Sequence, residues 1–404
     1  MISKDFFKAG HTPTLLSAFL YFDMSFMVWV LLGALGVQIA ASLGLTPAEK
    51  GFMVAVPILA GALLRLVNGV LVDRIGPKKT GTIGQVIVIS GLLLAWILQI
   101  NNYGGVLALG IVLGMAGASF AVALPLASRW YPPKYQGIAL GIAGAGNSGT
   151  VLASLFAPSL AKAFGWTTVF GIVAIPLIIT LVIYQFMAKD SPDQPPAKTW
   201  AQYLNIFKQS DAWWFLLFYG VTFGGFVGLS SSLNIYFNSE YGIEPVNAGF
   251  FTAACVFAGS MLRPIGGGLS DRIGGIRTLS IMYSVAAAAL VVLSFGMPTV
   301  WMAMAVLLVA MGALGMGNGA VFQLVPQRFR NEMGVMTGLV GMFGGVGGFY
   351  LAASLGLSKQ ATGSYQLGLI GFAILALVAL SGLTFVKKRW RGTWQAFGAA
   401  DAKL

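Results

Sequence analysis

The sequence predicts an all-α membrane protein of twelve transmembrane helices, arranged as two related six-helix halves. Three observations predict it: a composition too apolar for a water-facing surface, apolar runs of span length, and a motif that recurs half a chain later. Of 404 residues, 57% are hydrophobic and only 9% charged, with a mean hydropathy of +0.83. Soluble domains carry roughly 25% charged residues, so a soluble multidomain protein is excluded. A single cysteine, Cys255, excludes a disulfide scaffold. Porin-type strands alternate apolar and polar residues, which these continuous apolar runs do not.

A membrane helix needs about 20 mainly apolar residues. Twelve stretches qualify: 15–42, 48–72, 80–99, 104–128, 136–162, 166–188, 211–238, 246–270, 277–295, 299–326, 333–358 and 364–386. The first run is too long for a cleavable signal peptide and more spans follow it. The longest polar interval lies at mid-chain and contains Pro192, Pro195 and Pro196. It divides the chain into an N-terminal bundle (1–188), a linker (189–210) and a C-terminal bundle (211–404). With both termini on one side, that side collects nineteen of the 24 basic residues and the other only Lys50, Lys162 and Lys359. Positive-inside counting therefore places both termini in the cytoplasm of a multi-pass cell-membrane protein. The net charge of +12 is mostly this bias and calls for no nucleic-acid partner. Two basic residues remain, Arg65 and Arg263, and both fall inside spans.

The halves are related by sequence. Residues 65–76 read RLVNGVLVDRIG and residues 263–274 read RPIGGGLSDRIG, so Arg65, Asp73, Arg74 and Gly76 return 198 positions later as Arg263, Asp271, Arg272 and Gly274. In the fifth and eleventh spans Gly137, Gly141 and Gly144 return as Gly334, Gly338 and Gly341. A shift of half the chain with an even number of spans per half is a parallel repeat. The stretch Gly69-x-Leu71-x-Asp73-Arg74-x-Gly76-x-Lys78-Lys79 resembles the signature loop of the major facilitator superfamily, with a weaker copy at Gly267-x-Leu269-x-Asp271-Arg272-x-Gly274. That resemblance implies two pseudo-symmetric bundles rocking about a site near the bilayer midplane.

Arg65 lies eight residues before Asp73, about 12 Å along a helix, and Arg263 stands in the same relation to Asp271. An arginine at that depth costs at least a few kcal/mol unless it faces protein or a polar cavity. Of twelve acidic residues only Asp23 lies within a span, so carboxylates cannot neutralise both guanidiniums. The expectation is a small anion held between the halves, where two planar donors suit a planar oxyanion bidentately. Satisfaction by backbone carbonyls or water is the alternative.

The fifth span reads Gly141-Ile-Ala-Gly144-Ala-Gly146-Asn147-Ser148-Gly149 and the eleventh Gly338-Leu-Val-Gly341-Met-Phe-Gly344-Gly345-Val-Gly347-Gly348-Phe349. Glycines at this density allow close helix packing; Asn147, which has no packing reason to sit among them, reads as a donor to the anion. These segments resemble the paired signatures of the nitrate/nitrite porter family, and the resemblance covers nearly the whole chain, both arginines included. It implies a substrate of nitrate or nitrite, an aromatic sandwich from Phe120 and Phe223, a hydrogen bond from Tyr219, and a monomer. Without it, Tyr219 and Phe223 at i, i+4 read as core packing. Asn318 and Gln323, polar residues in a glycine-rich stretch of the tenth span, are further site candidates.

Asp23 sits inside the first span. Burial favours its neutral form and a nearby arginine its charged form, so it is a candidate for binding and releasing protons during transport; a structural hydrogen bond to a neighbouring helix is the alternative. The resulting expectation is a secondary transporter that imports nitrate, and nitrite with it, by alternating access and in symport with protons. A nitrate/nitrite antiporter and a carrier of another small anion are the competing readings. No nucleophile elbow, phosphate loop or metal cluster points to an enzyme, a cofactor or a metal.

Overall fold

The computed structural model describes residues 4–192, 200–329 and 333–393, and every regular element among them is a helix. Eleven stretches are long and apolar enough to cross a membrane: Pro47–Ile75, Pro77–Ile97, Tyr103–Ser128, Ile138–Phe164, Trp166–Met187, Ser210–Tyr241, Pro245–Ile273, Gly275–Ser294, Val300–Arg328, Val335–Thr362 and Gln366–Trp390. These are the second to twelfth expected spans, with ends displaced by a few residues. The expected first span, 15–42, exists as three pieces, Thr12–Trp29, Leu31–Ala34 and Gly36–Leu43. The mid-chain interval holds a short helix, Trp200–Ile206; residues 193–199 of it lie outside the described ones.

Local chemistry explains the helix ends. The second span opens with a capping box: Glu49 N–H donates to Thr46 Oγ1 at 3.3 Å, and Thr46 N–H donates to the Glu49 carboxylate at 2.8 Å. Pro47 follows at the first helical position, where its missing N–H is harmless. The repeated loop closes the second and eighth spans in the same way. Gly76 and Gly274 take φ of 88° and 95°, a region costly for any side chain, and both helices stop there.

Three spans of the N-terminal half are interrupted where a neighbour's polar side chain takes a backbone group, one of the recognised causes of a kink. At Leu35, Asn234 Nδ2 donates to the Ala34 carbonyl. Between Gly117 and Phe120, Arg65 Nε donates to Gly117 O at 3.1 Å and Asn68 Nδ2 to Ala118 O at 3.2 Å. At Ala145–Ser148 the fifth span tightens into a 3-10 turn against Asp23 of the first. Non-ideal backbone inside a membrane is tolerated only where protein satisfies it, and here protein does.

The halves meet chiefly through the second span against the eleventh and the fifth against the eighth. At the end away from the basic loops the approach is close. Gly33 faces the Ser231 backbone, Gly51 faces Gly356, Gly249 faces Ser154, and Lys162 pairs with Glu244.

Candidate functional site

The centre of the contact between halves is built around Arg65. Its side chain is fully buried, held by Nε to Gly117 O and by Nη1 to the Gly341 carbonyl of the eleventh span. Three aromatic rings wall the guanidinium, with Cζ 5.3 Å from Trp29, 5.2 Å from Phe120 and 5.1 Å from Phe223. Cations over ring faces gain about 2 kcal/mol when desolvated, which offsets part of the burial cost. Nη2 stays buried without a partner.

Arg263 differs. It is half-buried, lies 5.6 Å from the Phe322 ring centre, and keeps Nη1 buried and unpartnered. The two guanidiniums are close enough for Arg65 to feel the charge of Arg263, and the Tyr219 hydroxyl feels both. Among the described residues Arg65 forms no ion pair with a carboxylate.

The remaining expected residues sort cleanly. Tyr219 and Phe223 stack face to face at 5.1 Å and 7°, and Phe322 meets both Tyr219 and Phe120 edge-on, at 5.1 and 5.9 Å. The Tyr219 hydroxyl is buried with the Arg263 guanidinium beside it, in hydrogen-bonding reach. Phe120 and Phe223 each lie against the Arg65 guanidinium. Asn147 and Asn318 are buried with neither amide atom hydrogen-bonded. Gly341 faces Phe120 and the Arg65 side chain, and a Cβ there would stand 3.3 and 3.5 Å from them. Gly144 is buried, yet nothing lies within 4 Å of where its Cβ would be. Gln323 is set apart: its buried Oε1 lies beside Gly275, where the ninth span begins.

Asp23 is buried and does not reach the arginines. Its Oδ1 accepts from Ser148 Oγ at 2.7 Å, and Gly149 N–H also donates to the carboxylate. In the repeated loops, Asp73 pairs with Arg129 at 2.9 Å beside exposed Arg74. Gly69 lies within the second span and Gly76 packs against Asp190. In the copy, Asp271 and Arg272 are both exposed, and Arg328 pairs with Asp211 at 2.7 Å instead.

Sequence reasoning passed over Trp29, Asn68, Phe322 and Ser148. Asn68 carried a signal, as a polar residue three positions after Arg65 on the same helical face. Trp29 carried none, because its role depends on the second and fourth spans meeting around it.

The chemistry on offer is rich in donors: two guanidinium edges, a phenol and two amide Nδ2 groups, with aromatic rings against both guanidiniums. Donors in this arrangement match the chemistry of a small anion of low charge, and a flat one best.

Comparison with known proteins bears on this. Residues 17–352 match the family model described as Major Facilitator Superfamily. The chain is 34% identical to the probable nitrate/nitrite transporter NarK2 of Mycobacterium tuberculosis, over 88% of this chain and 91% of that one. It is 31% identical to the nitrite extrusion protein of Bacillus subtilis, over 89% and 90%. Among solved structures, a bacterial homolog of the human lysosomal transporter Spinster, inward-facing and unoccupied, superposes with a TM-score of 0.71 at 17% identity, covering 96% of this chain and 98% of that one.

Proposed function

The chain belongs to the nitrate/nitrite porter family of the major facilitator superfamily, and from that premise we propose that it carries nitrate, and nitrite with it, across the cell membrane by alternating access. The observation that carries the reading is the pair of unpartnered guanidinium nitrogens, Arg65 Nη2 and Arg263 Nη1, with the Tyr219 hydroxyl in electrostatic reach of both. An oxyanion between them receives donors from both halves at once and so links the halves when bound. Asn147 and Asn318 supply further donors, and Phe120, Phe223 and Phe322 keep water out. Gln323 supports the tenth span from outside this cluster.

The bundles are 1–188 and 211–404, joined by 189–210, with both termini in the cytoplasm as the basic loops dictate. On that orientation the close contacts at Gly33, Gly51 and Gly249 seal the outer face. The space beside Gly144 then lies on the route to the cytoplasm. The protein works as a monomer, since one chain supplies both arginines.

A monovalent anion entering a cell with a negative interior works against about 2.3 kcal/mol per 100 mV. Import therefore needs co-transported cations or an outgoing anion. Asp23, a buried carboxylate beside the fifth span, favours proton symport, with at least two protons required per nitrate for the potential to drive entry. Exchange for outgoing nitrite is the second reading, and the Bacillus relative's name, a nitrite extrusion protein, favours it. Uptake of labelled nitrate into liposomes with an imposed pH gradient and no internal anion decides between them. Symport gives uptake stimulated by external acid and lost in Asp23→Asn. Uptake that requires internal nitrite and ignores that substitution establishes exchange, and no uptake of either anion overturns the substrate.

A further inference from the structure

The fifth span is not a continuous helix where it passes the site. Pro133–Gly144 gives way to a 3-10 turn, Ala145–Ser148, before Gly149–Phe164 resumes. That turn presents Asn147, whose amide is buried and unpartnered, while its carbonyl accepts from Thr150 Oγ1 at 2.8 Å. The next residue, Ser148, donates its hydroxyl to Asp23, and Gly149 N–H donates to Asp23 as well as to carbonyls within the turn. The two helices touch backbone to backbone. A Cβ on Gly149 would run into the Asp23 carbonyl, and one on Gly146 would stand 2.7 Å from the Phe22 ring and 2.9 Å from the Asp23 nitrogen. Short 3-10 stretches inside helices mark hinges or strain, and this one is tied down at a single carboxylate.

The geometry points to Asp23 and Ser148 as a latch: ionised Asp23 holds the 3-10 turn of the fifth span through the Ser148 hydroxyl, and protonation of Asp23 releases the turn and so repositions Asn147 in the anion site. An ionised carboxylate accepts two charge-assisted hydrogen bonds, roughly twice as strong as neutral ones. Adding a proton removes that assistance and occupies one lone pair. Asp23 therefore couples to the anion through backbone it does not share with it; it is a positioning residue and Ser148 is its link. Among the described residues, no charged side chain is hydrogen-bonded or ion-paired to it. The second span brings Arg65, which sits against Trp29 six residues further along the first span. The fourth brings Tyr103 at its far end, and the fifth, among its described side chains, Tyr135 and Lys162. The sixth brings Tyr184, whose ring packs at a tilt on Tyr21 with centroids 5.0 Å apart. The groups acting on the Asp23 carboxylate are Ser148 and Gly149.

This inference rests on the proton-coupled reading and is separable from it by experiment. The full chain in lipid nanodiscs is followed by amide hydrogen exchange over 145–150, corrected for intrinsic rates, at pH 8 and pH 5. Nitrate affinity is measured on the same samples for wild type, Ser148→Ala, Asp23→Asn and Ser284→Ala. In wild type the segment loses at least tenfold of its protection at pH 5 and nitrate affinity rises severalfold. Ser148→Ala is already unprotected at pH 8 and flattens the affinity profile to within twofold while keeping the carboxylate. Ser284→Ala, on the ninth span, where the hydroxyl donates to Ser280 O of its own helix, keeps the wild-type pH profile. Wild-type protection that is indifferent to pH overturns the latch whatever the substrate. A full affinity shift surviving in Ser148→Ala also overturns it, while leaving proton coupling through the field of Asp23 intact. PH-dependent protection that needs Ser148, with no nitrate binding at any pH, upholds the latch and sinks the nitrate reading instead.

Discussion

The two halves solve the same problem differently. Read 198 residues apart, the register that joins Arg65 to Arg263 also joins Gly61 to Gly259, Gly117 to Gly315, Asn68 to Gly266 and Ala118 to Met316. In the C-terminal half these positions form a bare backbone contact: Gly315 meets the Gly259 carbonyl, and Gly266 meets the Met316 backbone. The eighth and tenth spans stay continuous. In the N-terminal half a wedge is inserted. The Trp29 indole stands between Gly61 and Gly117 and donates to Pro57 O at 2.8 Å, and Asn68 takes the Ala118 carbonyl. The fourth span breaks there, and the carbonyl of Gly117 turns to Arg65. The lesson is that a helix break creates the acceptor a buried guanidinium needs. The half that breaks can bury its arginine completely, and the half that zips leaves its arginine half exposed.

The sharpest way to break this comparison is to move Asn68 across it. Gly266→Asn places a side chain where the Met316 backbone already stands, and overpacking of this kind costs about 3 kcal/mol. Thermal melts in detergent should show a large loss of folded protein, whereas the reciprocal Asn68→Gly folds. Equal melting temperatures for the two would erase the distinction between wedge and zipper.

Next come the arginines themselves. Lysine cannot reproduce the planar fork, and each charge-assisted hydrogen bond lost is worth about 1.5–3 kcal/mol, or roughly 10- to 100-fold. Arg65→Lys and Arg263→Lys should each lose most transport while still inserting and folding. Arg65→Lys should lose more, because it also forfeits Gly117 and Gly341. Nitrate affinity within twofold of wild type in both variants removes the anion from this site; a larger loss for Arg263→Lys inverts the asymmetry.

The glycine helices give a smaller, two-sided effect. Gly341→Leu drives into Phe120 and Arg65, so it should lower stability by about 1–3 kcal/mol and impair transport together. Gly144→Leu meets open space here and should leave stability unchanged, yet slow exchange if the fifth span closes onto the eleventh in the other state. Paired melts and initial uptake rates separate the two.

The smallest effect tests the break directly. Asn68→Ala removes one of two donors on the Ala118 carbonyl, which keeps Ala121 N–H at 3.1 Å, and so costs about 0.5–1 kcal/mol. It should also weaken nitrate affinity a few-fold by loosening the Gly117 carbonyl on Arg65. An unchanged affinity would mean that the break is held by Trp29 alone.

Much of this molecule is readable from its sequence. Spans announce themselves because a bilayer demands a continuous apolar run, and eleven of the twelve emerge near their expected places as stretches long enough to cross, two of them with an internal break. The repeat is visible because duplicated residues keep their spacing, and the depth of Arg65 and Arg263 follows from helical rise. Asp23, Asn147, Asn318 and Tyr219 stand out as polar groups in apolar surroundings. What the tertiary structure alone decides is which backbone groups those side chains meet. A kink at Ala118 or Ala145 contains no proline and leaves no mark on hydropathy; at the first, Asn68 and Arg65 arrive from the second span to bond backbone carbonyls, and at the second, Asp23 arrives from the first span to take the Ser148 hydroxyl. Periodicity and composition are properties of one helix, whereas the environment of a buried charge is set by the three or four helices around it. For that reason Phe120 and Phe223 could be named from the chain, while the discovery that they and Trp29 enclose a guanidinium had to come from the fold.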